Sequence, residues 1–254
     1  MFEAEAQKII AKAVQDIMAL ASKGIGTTVL TGPLAAWKLT LPVNDNGQLS
    51  GSPLEIMPEK LVAGYSSEWF KQEGNVITFR VPLDGTGAKT PNATNTRCEL
   101  RGLKEFKFNE NYIGETTFFW KNPVENVKMV GHQLHDGDAP IVKSVFSWMA
   151  KGGMTWRALV KIEDGTEIDT EEVLLSNIPN TPIYEKYDYN GEKQVLTITA
   201  TPKDGKPVTK QVSLARTGAG GVIYEKKGAY PALKAPFLPS GTIAEITHTL
   251  PLAA

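Results

Sequence analysis

Cysteine is nearly absent: Cys98 stands alone in 254 residues, so no intrachain disulfide can form. Histidine is scarce too, with three, and none lies in an HExxH or Cys/His cluster of the kind that holds zinc. Charge of one sign is lacking: 27 lysines and arginines face 28 aspartates and glutamates, for a formal net charge of −1. The chain as a whole therefore offers no field to steer a polyanion, and a site for one must gather its positive charge locally. A generally basic surface for nucleic acid is excluded. No apolar run reaches the roughly eighteen residues of a membrane span, and there is no internal repeat or low-complexity tract. The opening "MFEAEAQKII" places acids ahead of its first lysine, unlike the basic start and unbroken apolar run of a secretory signal.

What is present is a globular composition, 41% hydrophobic and 22% charged, in a chain long enough to bury a sizeable core. Ile9, Ile10, Ala13, Val14, Ile17 and Leu20 recur at helical spacing, which predicts a helix over 2–23 that stops near Gly24. That helix either packs on the main domain or serves self-association. Residues 24–36 read as a linker, so the expected organisation is an N-terminal helix and linker over 1–36 and one domain over 37–254.

From Trp37 the texture changes to short alternating or apolar runs, among them "WKLTLP", "VITFRVPL", "TTFFW", "NVKMVGHQLH", "SVFSWMA", "TWRALVKI" and "AEITHTL". Asp84-Gly85, Gly152-Gly153, Asp164-Gly165, Asn190-Gly191 and Asp204-Gly205 punctuate them. "QVLTITATPKDGKPVTKQVSL" reads as a hairpin turning at Lys203-Asp204-Gly205-Lys206. "SPLEIMPEKLVAGYSSEWF" reads as a loop with one helical turn at 58–62. Many short strands with this punctuation predict an all-β sandwich or jelly roll.

Three stretches carry chemistry. In a strand, alternate residues share a face. In "TRCELRG", Arg97, Glu99 and Arg101 share one face, and Glu99 stands where it would orient both arginines; guanidinium groups suit bidentate recognition of carboxylates. In "GHQLHDGD", Gln133 and His135 share a face, while His132 falls on the side of Leu134. The two histidines then diverge, which weakens a metal site; His132 reads as a packed or surface histidine and Asp136 and Asp138 as turn residues. In "YEKKGAYPAL", Tyr224, Lys226, Gly228 and Tyr230 share a face, and Gly228 admits a ligand or another backbone. Each pattern alone also fits an ordinary amphipathic outer strand. His248, in the last strand, reads as structural.

Together and in this order the stretches resemble polysaccharide lyase family seven, the alginate lyases. The family pattern R-(S/T)-E-L-R, Q-(I/V)-H and Y-x-K-x-G-x-Y-x-Q is met by Arg97-Cys98-Glu99-Leu100-Arg101, by Gln133-Leu134-His135, and by Tyr224 through Tyr230. "WKLTLP", "LVAGYSSEWF" and "WRALVK" also look like family segments, so the resemblance spans about residues 37–250. Cys98 departs from Ser or Thr, and Leu134 from Ile or Val at a position associated with uronate preference. Pro231-Ala232 replaces an ending that usually carries Gln.

The resemblance implies a jelly roll whose concave sheet grooves an acidic polysaccharide, and β-elimination without metal or other cofactor. It makes Arg97, Gln133, His135 and Tyr230 catalytic. Glu99, Arg101, Lys143, Tyr224 and Lys226 would bind substrate, Lys143 on local positive charge alone, as with Arg157. The expected enzyme is an endolytic alginate lyase, of use against biofilm alginate, acting outside the cell by a route such as phage lysis. A glucuronan lyase, a non-catalytic binding module and a virion component are the alternatives.

Overall fold

The computed structural model describes residues 30–91, 93–137, 139–161, 167–214, 221–233 and 237–251, together with Lys12. Contacts divide the chain into Met1–Leu30 and Thr31–Ala254. Apart from Lys12, the helix expected over 2–23 lies outside the described residues. In the second unit the end of the expected linker is a turn, and its Leu34 is 1% exposed in the core.

Among the described residues fifteen strands follow. They are β1 (Trp37–Thr40), β2 (Glu55–Ile56), β3 (Phe70–Glu73), β4 (Val76–Pro82), β5 (Cys98–Lys107), β6 (Tyr112–Trp120), β7 (Lys128–Asp136) and β8 (Ala139–Met149). Then come β9 (Gly153–Lys161), β10 (Glu167–Ile178), β11 (Ile183–Asn190), β12 (Val195–Pro202), β13 (Val208–Ser213), β14 (Val222–Ala232) and β15 (Ile243–Thr249). The helical turn expected at 58–62 is a short helix, Pro58–Val62, started by a proline whose missing N–H costs nothing there.

The strands form two antiparallel sheets, in the orders β10-β9-β8-β7-β14-β5-β1-β2 and β13-β12-β11-β6-β15-β4-β3. This is the expected jelly-roll sandwich. The hairpin expected at 194–214 is β12 and β13, with Asp204 at φ 63° in its tip. Two strands escaped the sequence reading in front of β4: β2 lies inside the expected loop, and β3 begins at its last residue, Phe70. β10 and β11 were not anticipated either.

The core lies between the sheets, where Phe79, Phe118, Trp120, Phe146, Trp156 and Tyr187 are at most 2% exposed. Each such side chain contributes about 1.5–3 kcal/mol by leaving water. Phe118 of β6 stacks on Phe146 of β8 across the gap, with ring centroids 3.7 Å apart. Gly131 makes that stack possible: a Cβ there would fall 2.8 Å from the Phe118 ring. The ladder slips between Val130 and His132 at the same point, a bulge in β7.

Candidate active site

The strands that carry the three sequence stretches are neighbours in the eight-stranded sheet, in the order β7-β14-β5. The register pairs Gln133 with Lys226 and Lys226 with Arg101. It continues outward from Gln133 to Lys143 on β8, and from Arg101 to Lys38 on β1. One row of side chains thus crosses five strands on one face. Its two flanking rows place His135 beside Tyr224, and Glu99 beside Gly228. Residues as far apart in the sequence as Glu99 and Lys226 meet because the topology inserts β14 between β5 and β7.

Glu99 is the hub of this face. It is 3% exposed and accepts a short hydrogen bond from Gln133 Nε2. Arg97 Nη1 lies 3.5 Å and Lys226 Nζ 3.6 Å from its other oxygen. A carboxylate only accepts, so it fixes which end of the Gln133 amide faces it. The amide oxygen then lies 3.2 Å from His135 Nε2. That oxygen also only accepts, so Nε2 carries the proton and a neutral His135 keeps its lone pair on Nδ1. Glu99 therefore orients the Gln133 amide and, through it, the His135 tautomer.

The aromatic residues are held by cations. Arg97 lies over the Tyr230 ring at 4.4 Å, and Arg101 over the Tyr224 ring at 4.0 Å. Arg101 also bonds Glu105 at 2.7 Å. Tyr224 stacks on His135 at 5.4 Å, and its hydroxyl donates to the Gly137 carbonyl at 2.7 Å. Burial pulls the Lys226 ammonium below the usual lysine value; Glu99 opposes this, and Arg97 and Arg101 add to it. Lys143 lines an adjoining cavity of about 480 Å³ with Val130, Val145, Leu159 and Phe237. Arg157 pairs in register with Val145 on that side.

All nine residues expected to act on substrate thus lie on the sheet's one face. Gly228 serves a backbone: a Cβ there would strike the Cys98 carbonyl and come 2.6 Å from Glu99 Cα. Asp136 is no turn residue but the 1%-exposed end of β7, and Asp138 lies outside the described residues.

The other face of the same strands holds what sequence reasoning missed. His132, Glu225 and Lys227 of that face, and Glu185 of β11 in the facing sheet, are all 5% exposed or less. Both ring nitrogens of His132 lie 2.6 Å from a carboxylate oxygen, Nδ1 from Glu185 and Nε2 from Glu225. Lys227 Nζ sits 2.9 Å from Glu225 and donates to the Glu115 carbonyl at 2.8 Å. The usable signal was the alternation itself: Glu225 and Lys227 flank the groove-facing Lys226, so period two sends two charges into the core.

Burial would neutralise these groups, yet their partners outweigh it. His132 is held above its ordinary value by Glu185 and Glu225 against burial, and Glu225 is held at about 2 by Lys227 and His132 against burial. His248 goes the other way: burial pulls it down to about 3, although Nε2 lies 3.1 Å from the Gly228 carbonyl. An unfolded chain protonates this histidine below about 6.5, whereas the folded one resists to about 3. The unfolded state then binds more protons, and stability falls as pH drops through that window. Between pH 6.5 and 4.5, above the range where Glu225 titrates, the loss should reach about 2–3 kcal/mol. Urea unfolding across these pH values should show it, and His248→Gln should flatten the slope. A flat wild-type profile would contradict the assignment.

This gathering of arginine, lysine, histidine and tyrosine lies on one sheet of a jelly roll whose family match gives its class: the chain is a polysaccharide lyase. A family model described as alginate lyase matches residues 33–237. The chain belongs to that alginate lyase family.

Solved structures agree in fold. An alginate lyase from Pseudomonas aeruginosa is 22% identical with a TM-score of 0.70, over 87% of this chain and 98% of that one. An alginate lyase from Klebsiella pneumoniae is 16% identical with a TM-score of 0.65, over 87% and 95%. A variant family 7 alginate lyase in complex with substrate is 20% identical with a TM-score of 0.65, over 87% and 92%. A search of the curated proteins finds no match.

Proposed function

We propose that this lyase cleaves alginate within the chain by β-elimination, outside the cell where such a polymer lies. The observation that carries the reading is the Glu99–Gln133–His135 chain beside Arg97 and Tyr230, which presents an oriented amide, a proton acceptor and a proton donor to one groove. The chemistry is demanding because the C5 proton of a uronate lies next to a carboxylate that resists more negative charge. Arg97 and the second N–H of Gln133 neutralise that carboxylate and stabilise the enolate-like state as it forms.

His135 takes the C5 proton when proton and leaving oxygen lie on opposite sides, as in guluronate. Tyr230 then gives its proton to the C4 oxygen. The C5–H electron pair becomes the C4–C5 double bond as the C4–O bond breaks. In mannuronate both lie on one side, and Tyr230, acting as the phenolate, takes the C5 proton and then gives it to the C4 oxygen. Lys226, Arg101 and Lys143 bind carboxylates of neighbouring sugars, and Tyr224 offers its face to one. The row from Lys143 to Lys38 spans about 19 Å at ordinary strand spacing, longer than one sugar, which supports action within the polymer.

The test is ultraviolet absorbance of the unsaturated product on polymannuronate, polyguluronate and glucuronan, with and without a chelator. A rise on at least one alginate block, indifferent to chelator, is expected. A rise on glucuronan alone would move the substrate, and no rise from folded protein would overturn the reading.

A further inference from the structure

The reaction proposed above uses one face of β7 and β14; the opposite face of the same strands, with Glu185 of β11 in the facing sheet, holds a buried set of charges. His132 is 1% exposed, Glu185 0%, Lys227 3% and Glu225 5%. A carboxylate only accepts, and a neutral imidazole has one N–H. With an acceptor 2.6 Å from each ring nitrogen, a neutral ring would turn a lone pair toward one carboxylate. An imidazolium donates to both, at the short lengths of charge-assisted bonds. It also closes the charge count: two carboxylates against His132 and Lys227.

The surroundings fit a cation. The ring stacks on Tyr187 of β11, centroids 3.9 Å apart and planes 9° apart. The Tyr187 hydroxyl bonds Ser144 of β8 at 2.5 Å. Tyr112 of β6 bonds Glu225, and Gly114 leaves the room its carboxylate occupies. Two neighbours bear on that charge: Lys227, whose ammonium lies 2.9 Å from the Glu225 oxygen that His132 also meets and is balanced by the second carboxylate, and His248 of β15, which burial keeps neutral.

The position matters more than the charge. His132 precedes Gln133, and Glu225 and Lys227 flank Lys226. The backbone ladder slips here on both sides of β7: between Val130 and His132 against β8, and between Lys227 and Tyr230 against β14. Where the ladder is broken, side chains must set the offset of the strands.

We propose that His132 is a positioning residue for the elimination, an imidazolium that clamps β7 to β14 through Glu225 and to the opposite sheet through Glu185. It fixes Gln133 and His135 relative to Lys226 and Tyr230. The inference rests on the lyase reading of that face.

Glu185 tests it from the far sheet, remote from substrate. Glu185→Gln keeps the shape and an acceptor for Nδ1 but removes one of the two charges that hold the proton. In the variant, kcat should fail on the alkaline side about one pH unit earlier than in wild type, with KM unchanged. The three histidines make ring NMR assignable. Wild-type His132 should carry protons on both nitrogens at neutral pH, and in Glu185→Gln it should lose one in step with kcat. A neutral wild-type ring overturns the inference even if the variant fails to fold. An unmoved alkaline limb in an active variant overturns it as well. A wild type that eliminates no uronate overturns the lyase reading, whatever the ring shows.

Discussion

Tyr230→Phe is expected to lose about 10³-fold or more in kcat, the scale on which a positioned proton donor acts. Tyr230 is asked to protonate the leaving oxygen on every alginate block, and on mannuronate, as the phenolate, to take the C5 proton first. Among the described residues the Tyr230 side chain meets Arg97 through its ring, and its hydroxyl has no hydrogen-bond partner. Phenylalanine keeps the ring and its cation, so the fold should lose no more than about 0.5 kcal/mol. KM should change little, because the carboxylate-binding cations stay in place. Initial rates and thermal unfolding on the same preparation decide it. Near-normal turnover would remove Tyr230 from the mechanism and leave the proton donor unassigned.

The groove was legible in the sequence because strands expose a period of two. Arg97, Glu99 and Arg101, or Tyr224, Lys226 and Tyr230, can be placed on one face without knowing any neighbour. That they converge could not be read locally, since β14 slots between β5 and β7 only through long-range pairing. The same rule failed at β11. Its inward residues are Ile183, Glu185, Tyr187 and Tyr189, and the glutamate broke the apolar pattern that would have marked a strand. Glu185 is inward because His132 awaits it across the core, a reason that lies 53 positions away. His132 was placed on the packed side by alternation, but alternation cannot say that a packed histidine is charged. β10 escaped for a related reason: "EIDTEEVLLSNI" alternates poorly, and its pairing with β9 slips three times.

Gln133→Leu should cost about 10²–10³-fold in kcat, comparable to removing one donor from a site that stabilises a developing anion. Two losses combine. The amide N–H that faces the substrate carboxylate disappears, and so does the oxygen that accepts from His135 Nε2 at 3.2 Å. Without that acceptor the imidazole loses the partner that favours a proton on Nε2. The second loss matters only where His135 is the base. The defect should therefore be roughly tenfold larger on polyguluronate than on polymannuronate, one proton-transfer error being worth about 1.4 kcal/mol or more. Glu99 loses a donor but keeps Arg97 at 3.5 Å and Lys226 at 3.6 Å, so the chain should still fold, less stable by about 1–3 kcal/mol. Equal losses on the two blocks would mean that Gln133 acts on the carboxylate alone and that His135 draws its orientation from elsewhere. A loss below about threefold on both would break the link between Glu99 and catalysis, because the Gln133 amide bonds both that carboxylate and His135.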